Sequence, residues 1–173
     1  MTDRIALLIE DGFDDDELER VVAAFNEALH GVTYVGPFAG RQYRGRQHRK
    51  TVTSDMAASA ARAAGFAAVV IPGGYAPDRI RMRHAMLDLV REALARGVPV
   101  GALGHGPQVL ISAGAIGGRT VTCWPSIAID VKNAGGLYVD RPVVEDRGVI
   151  TARKIDDVAP FVQALLHGSV RSR

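Results

Sequence analysis

The chain has 173 residues, 47% of them hydrophobic and 23% charged, with 19 Gly and 8 Pro; this is the make-up of one domain, spanning 1–173, that buries roughly 70% of its unfolded surface. Its one cysteine, Cys123, excludes an intramolecular disulfide and a multi-cysteine zinc site, and a net charge of +2, carried by 18 Arg and 3 Lys, gives no electrostatic reason to expect nucleic acid. The longest apolar run, Phe66 to Ile71, is far short of the ~20 residues that span a bilayer, and no basic segment leads into a secretory apolar stretch, so a cytoplasmic protein without a membrane partner is expected.

In chain order, Arg4 to Ile9 reads as a strand buried on both faces. Leu18, Val21, Val22, Phe25 and Leu29 then form one helical stripe, with Gly31 as its stop, and Val32 to Val35 is a second strand. Residues 40–54 carry Arg41, Arg44, Arg46, Arg49 and Lys50 around small polar residues and read as an exposed hairpin-like excursion. These cations lack the interleaved aromatics of a single-strand nucleic-acid platform, which favours a solvated loop or subunit contact. Ala57 to Ala64 is compatible with a short helix, and Ala67 to Ile71 is a buried strand stopped by Pro72-Gly73-Gly74.

Met86, Leu87, Val90 and Leu94 mark a helix ended by Gly97, and Val98 to Leu103 is the next strand. Gly104-His105-Gly106 turns sharply into a helix from Pro107 to Ala113, with proline at a first-turn position where its missing N–H costs little. Thr120 to Thr122, a helix over Pro125 to Ala134, strand-like Leu137 to Val139, Val143-Val144 and Val149 to Thr151, and a helix over Asp156 to Leu166 complete the chain. The alternation predicts an α/β three-layer sandwich with a mainly parallel, flavodoxin-like sheet and helices on both faces.

In such a sheet function collects at the carboxyl ends of the strands. Three loops meet that description: Glu10 to Asp14, Pro72 to Asp78, and Gly104 to Pro107. The last has the shape of a nucleophile elbow, yet the residue at its apex is Gly104, which has no side chain; a plain tight turn explains it equally. His105 alone is weak evidence, since a histidine after a strand is more often a hydrogen-bonded structural residue than a catalyst. Asp14, Asp15, Asp16 and Glu17 complement the positive end of the first helix, so only an acid turned toward the pocket needs a functional account. Gly73 and Gly74 offer backbone N–H groups as an anion cradle or simply make a turn. Cys123 reads as a buried small hydrophobe in preference to a thiol at the pocket mouth.

Together these residues resemble the PfpI/ThiJ superfamily, the intracellular protease I class with a type 1 glutamine amidotransferase-like fold. The resemblance covers nearly the whole chain and is carried by Val70-Ile71-Pro72-Gly73-Gly74-Tyr75-Ala76-Pro77-Asp78-Arg79, Gly104-His105-Gly106-Pro107-Gln108-Val109-Leu110, Gly118-Arg119-Thr120, Trp124-Pro125-Ser126 and Thr151-Ala152-Arg153. It implies a cysteine at position 104, an acid from the first loop beside its sulfur, and an acid from a neighbouring subunit orienting the histidine. Carried over, these positions are Gly104, Asp14, Asp78 and His105, with Gly73, Gly74 and Trp124 as ligand contacts and neither metal nor cofactor. The cysteine is absent, and both acids are Asp where the family usually has Glu.

Four readings follow: a member without covalent catalysis that binds a small anionic or carbonyl ligand, an enzyme using His105 and Asp14 as acid and base, a stress-response assembly protein, and an altered version of an ordinary cysteine-dependent enzyme. The implied assembly is a homodimer, which can stack into a hexamer.

Overall fold

Short runs of Val, Ile, Leu and Ala make the central strands, and because helices cover both sheet faces these runs need no polar alternation. The computed structural model describes residues 4–171, so the ends of the expected 1–173 span lie outside the described residues. In chain order the elements are β1 (Arg4–Leu8), α1 (Asp15–Glu27), β2 (Gly31–Gly36), β3 (Gln42–Arg44), β4 (Thr51–Thr53), β5 (Met56–Ala57), β6 (Ala68–Ile71), α2 (Ala76–Ile80), α3 (His84–Ala95) and β7 (Val100–Leu103). There follow α4 (Pro107–Ser112), β8 (Thr120–Val121), α5 (Ala128–Asn133), β9 (Leu137–Tyr138), β10 (Val143–Asp146), β11 (Val149–Ala152) and α6 (Val158–Arg171).

Seven strands form one sheet in the order β10-β11-β7-β6-β1-β2-β5, parallel except for the β10–β11 pair. Helices α1 and α6 pack together against one side, while α2, α3, α4 and α5 form a second set, which is the expected three-layer sandwich. All four residues of β6 and of β7 are buried. At Gly101 of β7 an added Cβ would stand 2.7 Å from both Leu165 Cδ1 and Phe161 Cζ, so the missing side chain is what lets α6 lie close on the sheet.

Several local expectations are corrected. The first helix ends at Glu27, Gly31 opens β2, and Leu29 is exposed at φ 61, outside the buried stripe. The N–H of His30 reaches back to Phe25 O, a helix-closing bond that puts Leu29 in the left-handed position glycine usually fills. Residues 57–64 are not a helix: Ala57 pairs with Gly36 in β5, the Ala58 N–H donates to Gly36 O, and only a single 3-10 turn follows at Ala63–Gly65. Edge pairing here overrides alanine's helix propensity. The 125–134 segment divides into a 3-10 turn, Pro125–Ile127, and α5. The loop expected over Pro72 to Asp78 ends early: Ala76-Pro77 starts the short helix α2, with proline in its first turn.

Candidate functional site

The chain leaves β1 for β2 through α1, and leaves β6 for β7 through α2 and α3. Their loops diverge at the carboxyl ends of two adjacent strands, the position where open α/β sheets form ligand crevices. A cleft of about 580 Å³ opens there, lined among others by Asp14, Glu17, Arg46, Gly74, Gly104, His105, Trp124 and Arg153. The three loops singled out in the sequence therefore converge.

Gly104 sits at φ 61 between β7 and α4. Its N–H donates to Ala152 O at 3.0 Å, and its carbonyl accepts from the Trp124 N–H at 2.9 Å, so the turn is fixed from both sides. A Cβ at this position would meet only ordinary contacts, 3.7 Å to Arg153 O and to Glu17 Oε2 and 3.8 Å to Gly73 Cα. Backbone geometry, not crowding, is what favours glycine here. At Gly74, φ 71, both constraints apply: an added Cβ would lie 2.6 Å from the Asp14 nitrogen. The backbone N–H groups of Gly74 and His105 have no hydrogen-bond partner among the described residues.

The acid beside the elbow is Glu17. Asp14, the position implied by the family resemblance, caps α1 by accepting the Glu17 N–H at 3.0 Å and binds Arg46 through Oδ2 at 2.6 and 2.8 Å. Gln47 Nε2 donates to the same oxygen at 3.1 Å. Burial pulls the Asp14 carboxyl upward, but the Glu17 N–H, Arg46 and Gln47 together hold it below its ordinary value. An engaged, ionised Asp14 is a structural clamp at the cleft mouth.

Glu17 is 6% exposed. The Gly73 N–H donates to its Oε1 at 2.6 Å, while Oε2 has no partner among the described residues and faces the vacant side of Gly104. Burial above all, with Asp14 nearby, raises its pKa to about 7 against the opposing Gly73 bond and Arg46. The sequence contained a signal for this. Glu17 precedes buried Val21 by four residues and buried Phe25 by eight, placing it on the inward face of α1. It could have closed a capping box with Asp14, and the Gly73 loop takes its carboxylate instead.

His105 makes one ring hydrogen bond, Nε2 to Ser126 Oγ at 3.3 Å, and its ring lies 6.2 Å from that of Trp124 at 26°. Burial, then Arg46, lowers its pKa from the usual value. No carboxylate of the same chain pairs with it among the described residues. Asp78 is exposed on α2 and is not among the residues lining the cleft. Trp124, 42% exposed, forms part of the cleft wall, as do Gly74 and Gly104, whereas Gly73 acts through Glu17. Cys123 is fully buried and its thiol is pushed up to about 12 by burial, reinforced by Asp130. Among the described residues no three metal-ligating side chains converge, and no helix is long and apolar enough to cross a membrane.

The basic excursion is the β3–β4 hairpin, and it forms the outer lip of the cleft. Its tip is held by buried Asp15, whose carboxylate accepts the backbone N–H groups of Gln47, Arg49 and Lys50 at 2.9, 3.0 and 2.7 Å. Arg46 lies over the Tyr75 ring at 5.4 Å, Arg49 pairs with Asp16 and Lys50 with Glu19. Arg49 and Lys50 thus face acids of α1 and Arg46 faces its N-cap Asp14, in place of the solvated loop or subunit contact expected.

The chain as a whole is similar to known proteins. A relative in Escherichia coli described as protein/nucleic acid deglycase 2 is 38% identical over 162 residues, covering 93% of this chain and 94% of the relative. General stress protein 18 of Bacillus subtilis is 35% identical over 163 residues, covering 93% and 94%. A crystal structure from Anabaena variabilis, of a two-domain protein with DJ-1/ThiJ/PfpI-like and ferritin-like domains, superposes with a TM-score of 0.91 at 36% identity; the match covers 95% of this chain and 47% of that one. With residues 3–168 also matching the model of the DJ-1/PfpI family, the chain belongs to that family.

Proposed function

We propose that this protein is a cytoplasmic DJ-1/PfpI-family member that binds a small carbonyl or anionic ligand in the elbow cleft without forming a covalent bond to it. The observation that carries this reading is the pairing of an intact cleft with an apex that has no side chain: Gly104 keeps the positive φ of an elbow, and Glu17 Oε2 stands 3.7 Å from where a Cβ would be. A thiolate is what gives such an elbow its nucleophilic step. The chain's one thiol, Cys123, is buried and held protonated by its surroundings, which leaves it unsuited to supply that step. The name of the Escherichia coli relative, a deglycase, favours carbonyl-derived ligands.

Trp124 is the only tryptophan and lines the cleft, so its fluorescence reports occupancy. Titration with methylglyoxal, acetone, pyruvate and acetate should give a saturable change with at least one of them, while methylglyoxal turnover stays at the buffer rate and intact mass is unchanged. Absence of saturable binding by all four would overturn the reading, as would thiol-dependent turnover.

A second reading is favoured by the Glu17 pKa of about 7, the range suited to a general acid or base. It predicts slow turnover that survives Cys123→Ser and disappears in Glu17→Gln.

A further inference from the structure

We infer that Ser126 is a nucleophile served by His105, and that the pair transfers the acyl group of small neutral esters to water through a seryl ester at the rim of the cleft. This goes beyond the ligand-binding reading, whose ligands carry no leaving group and therefore form no acyl-enzyme.

Ser126 is exposed and stands just outside the lining of the cleft, to which His105 and Trp124 belong. Its Oγ lies 3.3 Å from His105 Nε2. This is the contact between nucleophile and base on which hydroxyl-based acyl transfer depends, and such contacts are commonly long before substrate binds. With the imidazole proton on Nδ1, Nε2 accepts from the hydroxyl and can take its proton. Both partners are held in place. The 3-10 turn Pro125–Ile127 that carries Ser126 is pinned by buried Ile127, whose N–H donates to Trp124 O at 3.1 Å. The Trp124 N–H donates in turn to Gly104 O, next to His105 in the chain, and the Trp124 ring stacks at 6.2 Å on that of His105. Burial, then Arg46, keeps the His105 pKa below its usual value, so at pH 7 the ring is a neutral base.

In the first step Ser126 Oγ attacks the carbonyl carbon of the ester while its proton passes to His105 Nε2. The bond from that carbon to the alcohol oxygen breaks, and the alcohol leaves with the proton from His105. Water then attacks the seryl ester and gives a proton to Nε2; the bond from the acyl carbon to Oγ breaks, and Ser126 recovers the proton. The sum is ester and water to acid and alcohol, with no change of oxidation state. The backbone N–H of Ser126 has no hydrogen-bond partner among the described residues and can donate to the oxyanion. The surroundings set the substrate class. Trp124 and Ile129, 42% and 58% exposed, stand two residues before Ser126 and three after it, and offer apolar surface to the acyl or leaving group. Asp130, exposed one helical turn on, disfavours a negatively charged acyl group.

The test is incubation of the full chain with p-nitrophenyl acetate near pH 7, following release of p-nitrophenolate and locating the acetyl group by peptide mass spectrometry. The expected result is a burst of release with acetyl on Ser126. Ser126→Ala and His105→Gln should each slow acetylation about a hundredfold, to the background set by the lysines, while Cys123→Ser leaves it unchanged. Thermal unfolding checks that each variant is folded. Ser126→Cys carries an independent readout: its thiol should react with iodoacetamide roughly tenfold faster than the same thiol combined with His105→Gln. Acetyl on lysines alone, equal acetylation of Ser126 with and without His105, or a thiol at position 126 whose reactivity ignores His105 overturns the inference. Each of these outcomes leaves the ligand-binding reading intact, since that reading is decided by Trp124 fluorescence.

Discussion

Glu17 and Gly104 face each other across a gap in which one side chain is missing: the Glu17 Oε2 atom is 3.7 Å from the point where a Cβ on Gly104 would stand. A carboxyl group that is almost wholly buried, with one oxygen tied to the Gly73 N–H, is poorly solvated. Burial then decides its ionisation, and the proton is retained up to about pH 7.

That retention has a consequence for stability. Between the ordinary carboxyl value of 4.5 and the folded value of about 7, the folded chain holds a proton at Glu17 that the unfolded chain has lost. Stability therefore falls as pH rises through this window and levels off above it, by about 3 kcal/mol for a displacement of this size. Glu17→Gln should remove this component of the pH dependence and be more stable than the parent at pH 8. Urea unfolding at pH 5, 6.5 and 8 checks it, and an unchanged pH slope in the variant would show that Glu17 is ionised throughout.

Gly104→Cys should place a thiol at the elbow without a clash, since every contact of the new Cβ is 3.7 Å or longer. The cost is conformational: a non-glycine residue at φ 61 is destabilising by about 1–3 kcal/mol. The thiol would lie beside Glu17, His105 and the unpartnered His105 N–H, surroundings that can support a reactive thiolate. The variant should thus melt earlier yet react with peroxide faster than free cysteine. Higher stability combined with ordinary reactivity would mean that position 104 is not a strained elbow.

Asp15 is the anchor of the hairpin. Asp15→Ala would leave the N–H groups of Gln47, Arg49 and Lys50 without their acceptor, and unsatisfied buried donors cost about 1–3 kcal/mol each when water cannot reach them. The loosened tip carries Arg46, Arg49 and Lys50, so trypsin should cut between residues 44 and 51 much faster than in the parent. Cleavage at the parental rate would show that the ion pairs to α1 suffice without Asp15.

Cys123 provides the control for any thiol chemistry. A fully buried thiol pushed up to about 12 presents almost no thiolate at pH 8. Alkylation by iodoacetamide should be undetectable in the folded chain and should follow global unfolding in denaturant. Fast labelling without unfolding would reveal an opening that exposes the β8–α5 segment.

The sheet was legible because its strands are short apolar runs whose burial requires no partner information, and the sharp turn at Gly104-His105-Gly106-Pro107 was legible because glycines precede a proline at a strand-to-helix corner. What the sequence concealed depends on distant neighbours. Asp14 and Glu17 both open α1, and the choice between them is made by Arg46 and Gln47 on one side and by the Gly73 N–H on the other. The hairpin's role was hidden for the same reason: its basic residues look solvated until buried Asp15 is seen to hold its tip. In the 57–64 segment the alanine-rich composition indicated a helix, and pairing to Gly36 at the sheet edge prevented it.

The last prediction concerns assembly. Among the described residues His105 has no carboxylate partner, and Asp78 is exposed on α2, outside the cleft. If a neighbouring copy supplies Asp78 to this histidine, as the family resemblance implies, the smallest complete site needs two copies related by a twofold axis, in which each completes the other. Light scattering at micromolar concentration should then give a dimer or a multiple of it. The histidine provides an independent readout. In the isolated chain, burial and Arg46 hold the His105 pKa below its usual value, whereas a partner carboxylate would raise it again. NMR titration should find His105 higher in the assembled wild type than in Asp78→Asn, with the other histidines unmoved. A monomer in scattering, or a dimer whose His105 titrates identically in both proteins, would remove Asp78 from the site and leave His105 with Ser126 alone.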